Sequence, residues 1–105
     1  MPEVASCSSL EEVRSNIDRI DRQIVELLAE RGSYVKQVVQ FKKTPGDVRA
    51  PKRAQQVMAK VKSLAAELGA DASVTEQVYQ TMIRSFVEAE MAALALRQGK
   101  SQGEY

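Results

Sequence analysis

Four cations and one carboxylate stand where this chain would otherwise keep apolar side chains: Arg14, Arg31, Lys42, Arg53 and Glu90. Apolar residues recur at three- and four-residue steps through Leu10, Val13, Ile17, Ile20, Ile24, Leu27, Leu28, Val35 and Val38, the pattern of one helix face. Arg31 interrupts that stripe between Leu27 and Val35, and Lys42 follows Val38 at the next helical step. At about 100° per residue, the stretch from Arg31 to Lys42 returns to nearly the same face. Burying a charge costs several kcal/mol unless it is paired, so a stripe that carries two cations calls for an anion. Arginine presents a planar fork that grips a carboxylate through two parallel hydrogen bonds. Three arginines suit a ligand with two carboxylates and leave Lys42 and Glu90 as candidate donors to a third oxygen.

Composition narrows the chemistry. The chain has no histidine and a single cysteine, Cys7, in a Ser-rich leader. A histidine-based triad, a histidine metal site and a paired-cysteine zinc site are therefore excluded. What remains is catalysis by positioning and electrostatics, with no metal or cofactor expected. A net charge of +1 with both signs well mixed argues against nucleic acid or a membrane surface as partner. There is no charged start followed by an apolar run and no stretch of spanning length, so a soluble, cytoplasmic protein is expected.

Each charge also has a plainer reading. Arg14 could edge the stripe and pair with Asp18 on the same helix. Lys42 and Lys43 could complement the helix dipole at a C-terminus. Glu90, between Phe86 and Leu94 on an apolar face, could form a buried ion pair with Arg31 or Lys42. Arg53 near a helix start is mildly unfavourable for the dipole and less easily dismissed. Singly none of the five carries a function, whereas convergence on one cavity would.

The elements that must position them are helices. Ser9 and Glu12 form a capping-box pattern ahead of a first helix that should run to Lys43 and stop at the Thr44-Pro45-Gly46-Asp47 turn cluster. Pro51 suits the first turn of a second helix with Ala54, Val57, Val61, Leu64 and Leu68 inward, and Gly69 ends it. Asp71 or Ser73 caps a third helix that turns Val74, Val78, Met82, Ile83, Phe86 and Leu94 toward a core. No segment alternates with period two, so the fold class is all-α. One helical domain is expected over residues 9–98, after a disordered leader (1–8) and before a frayed tail (99–105). A first helix of roughly 34 residues is about 50 Å long, whereas a compact domain of this size has a radius of gyration near 13 Å. The two shorter helices cannot cover its stripe, which predicts an intertwined homodimer. Arg14 and Arg31 lie roughly 25 Å apart along the helix. They cannot hold one small ligand within one chain, but an antiparallel dimer could bring Arg14 to the other copy's site. Gly32, inside the helix, suits a close crossing or a slight bend.

With the elements placed, the chain resembles the all-helical chorismate mutases and the closely related isochorismate-pyruvate lyases of salicylate synthesis. The likeness runs from Leu10 to about Leu96. It rests on Val13-Arg14, Ile17-Asp18-Arg19-Ile20-Asp21, Leu27-Leu28, Arg31, Val35-Lys36, Phe41-Lys42, Ala50-Pro51-Lys52-Arg53 and the third helix around Glu90. The resemblance implies three-helix subunits in an intertwined dimer with two sites, each drawing one arginine from the other subunit. It implies that Arg31 and Arg14 of the partner subunit hold the two substrate carboxylates, with Arg53 at the same anion site and Val38 touching the substrate. Lys42 would donate to the ether oxygen of chorismate. The bacterial mutases and the lyases usually carry glutamine where this chain has Glu90, and a carboxyl there donates only when protonated. Two more positions depart from many mutases, Ala50 and Ala54 standing where those have acids, and the family's serine near Phe86 is absent. The implied activity is rearrangement of chorismate to prephenate. The alternatives are the lyase reaction, giving salicylate and pyruvate, or a non-catalytic helical dimer that docks on a partner enzyme.

Overall fold

The computed structural model describes residues 3–102, with side chains as far as residue 98. The first two residues of the expected leader and the last three of the expected tail lie outside the described residues. Four helices follow one another: α1 (Leu10–Val39), α2 (Pro45–Arg49), α3 (Pro51–Leu68) and α4 (Ala72–Gln102). There is no strand among the described residues, and the all-α expectation is met.

The helix ends follow local chemistry. Ser9 caps α1 by accepting the Glu12 N–H at 3.1 Å. Glu12 reaches back one residue further than a capping box requires, accepting the Ser8 N–H at 2.9 Å and the Ser8 hydroxyl at 3.0 Å. Those donors hold its carboxyl below the ordinary value. Gly69 ends α3 in the left-handed conformation, φ 75°, as its position predicts. Asp71 opens α4 by accepting the Val74 N–H at 3.0 Å.

The segment after α1 differs from expectation. α1 stops at Val39 rather than Lys43, because the N–H groups of Gln40, Phe41 and Lys42 bond to carbonyls three residues back and tighten the chain out of the α-helix. The expected turn at Thr44–Asp47 starts the short helix α2 instead. Thr44 accepts the Asp47 N–H at 3.1 Å while Asp47 accepts the N–H groups of Lys43 and Thr44 at 3.0 and 3.2 Å. Proline after a capping residue can begin a helix as readily as it ends one. Ala50 joins α2 to α3 at φ 36°, ψ 63°. That left-handed conformation is costly for alanine, and more so ahead of a proline.

α4 is the element on which the others pack, touching α1, α2 and α3. Where α1 crosses it, a Cβ on Gly32 would come within 3.3 Å of the Phe86 ring, so the glycine permits a close approach. Among the described residues, the buried apolar ones are Val39, Val48, Val61, Ala65 and Leu94. Val39, Val48 and Leu94 lie around the end of α1, Val61 and Ala65 lie on α3, and the other half of α1 has little cover. Leu10, Val13, Ile17, Ile20 and Ile24 remain between 41% and 61% exposed. The chain exposes 8584 Å², where a compact monomer of this mass exposes about 5,800 Å². Its radius of gyration is 18.2 Å, against about 13 Å for a compact domain of this length. No described helix is long and apolar enough to cross a membrane.

Candidate active site

Arg31, on α1, lies with its guanidinium carbon 5.0 Å from the centre of the Phe86 ring. The ring face attracts the cation and helps fix its direction. Nη1 of Arg31 is buried and has no hydrogen-bond partner. Leaving such a donor unmade costs about 1–3 kcal/mol, more when it is charged. Among the described residues, the fold accepts that cost at this one position.

Lys42 sits just past the end of α1. Its Nζ lies 3.4 Å from Glu90 Oε2 on α4 and donates to the Val48 carbonyl at the same distance, 3.4 Å. The two side chains are only 17% and 8% exposed. Of the two partners open to Glu90 in the sequence, the structure selects Lys42. Asp47, below this lysine, has its carboxyl held under the ordinary value by the Lys43 and Thr44 N–H groups, with a smaller contribution from the Lys42 ammonium.

A cavity of about 190 Å³ joins these groups. Arg31, Lys42, Arg53 and Glu90 line it, with Val35, Val38, Val57, Ile83 and Val87 as its apolar walls. Ala50 and Ala54 also face it, so no acidic side chain stands at either place. Its volume is below the roughly 300–1,000 Å³ usual for drug-sized ligands. Apolar walls lower the local dielectric and strengthen every charge interaction inside. The arrangement can hold a small anion at Arg31 and Arg53 while presenting the Lys42 ammonium to a developing negative charge.

Five of the six residues picked out in the sequence border this cavity; Arg14 does not. It sits on the exposed half of α1, four turns and more from Arg31. Three participants were missed. Phe86 was read only as core and is the platform for Arg31. Arg49 joins the cavity lining from α2, a helix the sequence reading did not contain. Arg97 of α4 donates to the carbonyls of Val39 and Lys42. Its signal was present, since it follows Glu90 by seven residues and shares its helix face.

These features define an all-α protein with a cation-lined cavity beside a half-covered long helix. Comparison narrows the class. Residues 13–91 match the family described as chorismate mutase type II, and the chain belongs to that family. It is 33% identical over 81 residues to an isochorismate pyruvate lyase of Pseudomonas aeruginosa, spanning 77% of this chain and 80% of that protein. It is 32% identical over 75 residues to a chorismate mutase of Methanocaldococcus jannaschii, spanning 70% of this chain and 76% of that one.

Proposed function

We propose that this chain is a chorismate mutase that rearranges chorismate to prephenate in a site completed by a second copy of itself. The observation that carries the reading is the unpartnered, buried Nη1 of Arg31 in a cavity also lined by the Lys42–Glu90 pair. A carboxylate of the substrate supplies the missing acceptor. Arg53 and Arg14 of the partner subunit complete the anion site, and Val38 packs on the substrate.

The reaction is intramolecular and pericyclic: the ether C–O bond breaks as a C–C bond forms, with no proton or group lost. Negative charge grows on the ether oxygen in the transition state. Lys42, with Glu90 in its protonated form, donates to that oxygen, and these bonds strengthen as the charge develops. The arginines hold the enolpyruvyl group over the ring in its reactive pose. No covalent intermediate is needed.

The dimer belongs to the same proposal. The exposed stripe from Leu10 to Ile24 and the large surface of the single chain support it, because an apolar face of this length is normally covered. A cytoplasmic setting, in keeping with one unpaired cysteine, is part of the reading.

A second reading is favoured by two observations. Ala50 and Ala54 put no acidic side chain at two places on the cavity wall where many mutases have one, and the Pseudomonas aeruginosa relative is a lyase. In that reading isochorismate yields salicylate and pyruvate by a pericyclic hydrogen transfer at the same donors. Incubating the pure protein separately with chorismate and with isochorismate, and identifying products by NMR, tests both. Prephenate from chorismate is the expected result. Salicylate from isochorismate without prephenate from chorismate would replace the first reading with the second.

A further inference from the structure

Arg97 ties α4 to the backbone on either side of the site lysine. Its Nη1 donates to the Val39 carbonyl at 3.2 Å, and its Nη2 donates to the carbonyl of Lys42 itself. Gln98, the next residue, donates its Nε2 to the Lys43 carbonyl at 3.2 Å. The last carbonyls of a helix lack intrahelical donors and carry the negative end of its dipole, so an arginine fits there on general grounds. What is particular here is which carbonyl it holds. α4 grips Lys42 twice, at the ammonium through Glu90 and at the backbone through Arg97.

Lys42 lies beyond the last residue of α1, so its own helix does not fix its position. The turn from Gln40 to Lys42 is closed by three-residue hydrogen bonds, and its backbone is tied to α4 by Arg97, with Gln98 holding the next carbonyl, that of Lys43. We infer that Arg97 is a positioning residue for the reaction: it sets the backbone of Lys42 so that the ammonium meets the oxygen that gains charge. This rests on the proposed rearrangement as the chemistry of the site. Because that charge appears only in the transition state, a displaced Lys42 lowers kcat far more than it alters KM.

The test is a double-mutant cycle with an independent reading of the backbone. Arg97→Gln is measured in the wild-type and Lys42→Ala backgrounds, with kcat and KM for chorismate and amide exchange of residues 40–43 without substrate. Arg97→Gln should lower kcat by about 10- to 100-fold, as a misplacement of about 1 Å does, with KM changed less than about threefold. In the Lys42→Ala background the same change should lower kcat less than about twofold, because no ammonium remains to be positioned. Exchange at residues 40–43 should accelerate at least about tenfold. Should Arg97→Gln fail to fold, Arg97→Lys takes its place in every arm; it keeps the charge but reaches one carbonyl, and the same pattern should appear at smaller size. Equal kcat losses in both backgrounds, or unchanged exchange, would overturn the inference. Absence of wild-type turnover would instead overturn the proposed function, and the exchange result would still decide whether Arg97 holds the Lys42 backbone.

Discussion

Lys42 and Glu90, 48 positions apart in the chain, meet at 3.4 Å inside a cavity where both are largely shielded from water. Desolvating two such groups offsets most of what their contact returns, so the pair is a weak source of stability. Replacing both partners with apolar residues of similar size should therefore separate folding from function. Lys42→Met with Glu90→Leu should keep or raise Tm, while kcat/KM falls by at least about 100-fold through loss of the transition-state donors. Thermal unfolding and chorismate kinetics on the same preparation check this. A large loss of Tm would make the pair structural.

The donor role of Glu90 gives a second expectation. An amide at this place always offers a donor, whereas leucine of similar size offers none. Glu90→Gln should keep kcat/KM for chorismate within about tenfold of wild type, and Glu90→Leu should lower it by at least about 100-fold. An inactive Gln variant would show that donation from this position is not what the site uses.

Acid should loosen the turn beneath Lys42. The Asp47 carboxyl is held below its ordinary value by the Lys43 and Thr44 N–H groups. A group whose folded value is lowered contributes stability that is present above its unfolded value, near 3.9. That contribution is lost as pH falls through the lower folded value. Denaturation midpoints should drop below about pH 4, and the drop should be shallower in Asp47→Asn, which has no such proton to take up. Identical acid profiles for the two proteins would remove Asp47 from the account.

Much of this architecture was legible from local signals. Ser9, Gly69 and Asp71 mark helix ends through bonds to near neighbours, and Gly32 marks the crossing with Phe86, where a Cβ would press to 3.3 Å from the ring. The end of α1 was not legible, because part of what holds it comes from Arg97, 58 positions away from Val39. α2 was missed because Pro45 and Gly46 read as a stop, whereas Thr44 and Asp47 cap a new helix. Charges within an apolar stripe pointed to Arg31, Lys42 and Glu90, since misplaced charge is visible in sequence. Which partner Glu90 takes depends on how α4 lies against the end of α1, and spacing within one helix does not encode that. Arg14 lies off the single-chain cavity, as its distance along α1 required.

A site built by two chains is tested most directly by complementation. Arg14→Ala and Arg31→Ala should each be nearly inactive alone. After demonstrated subunit exchange, half of an equal mixture is heterodimer, in which one of the two sites keeps both arginines, so prephenate formation should recover to about a quarter of the wild-type rate. Full activity of Arg14→Ala alone, or no recovery in the exchanged mixture, would contradict a shared site.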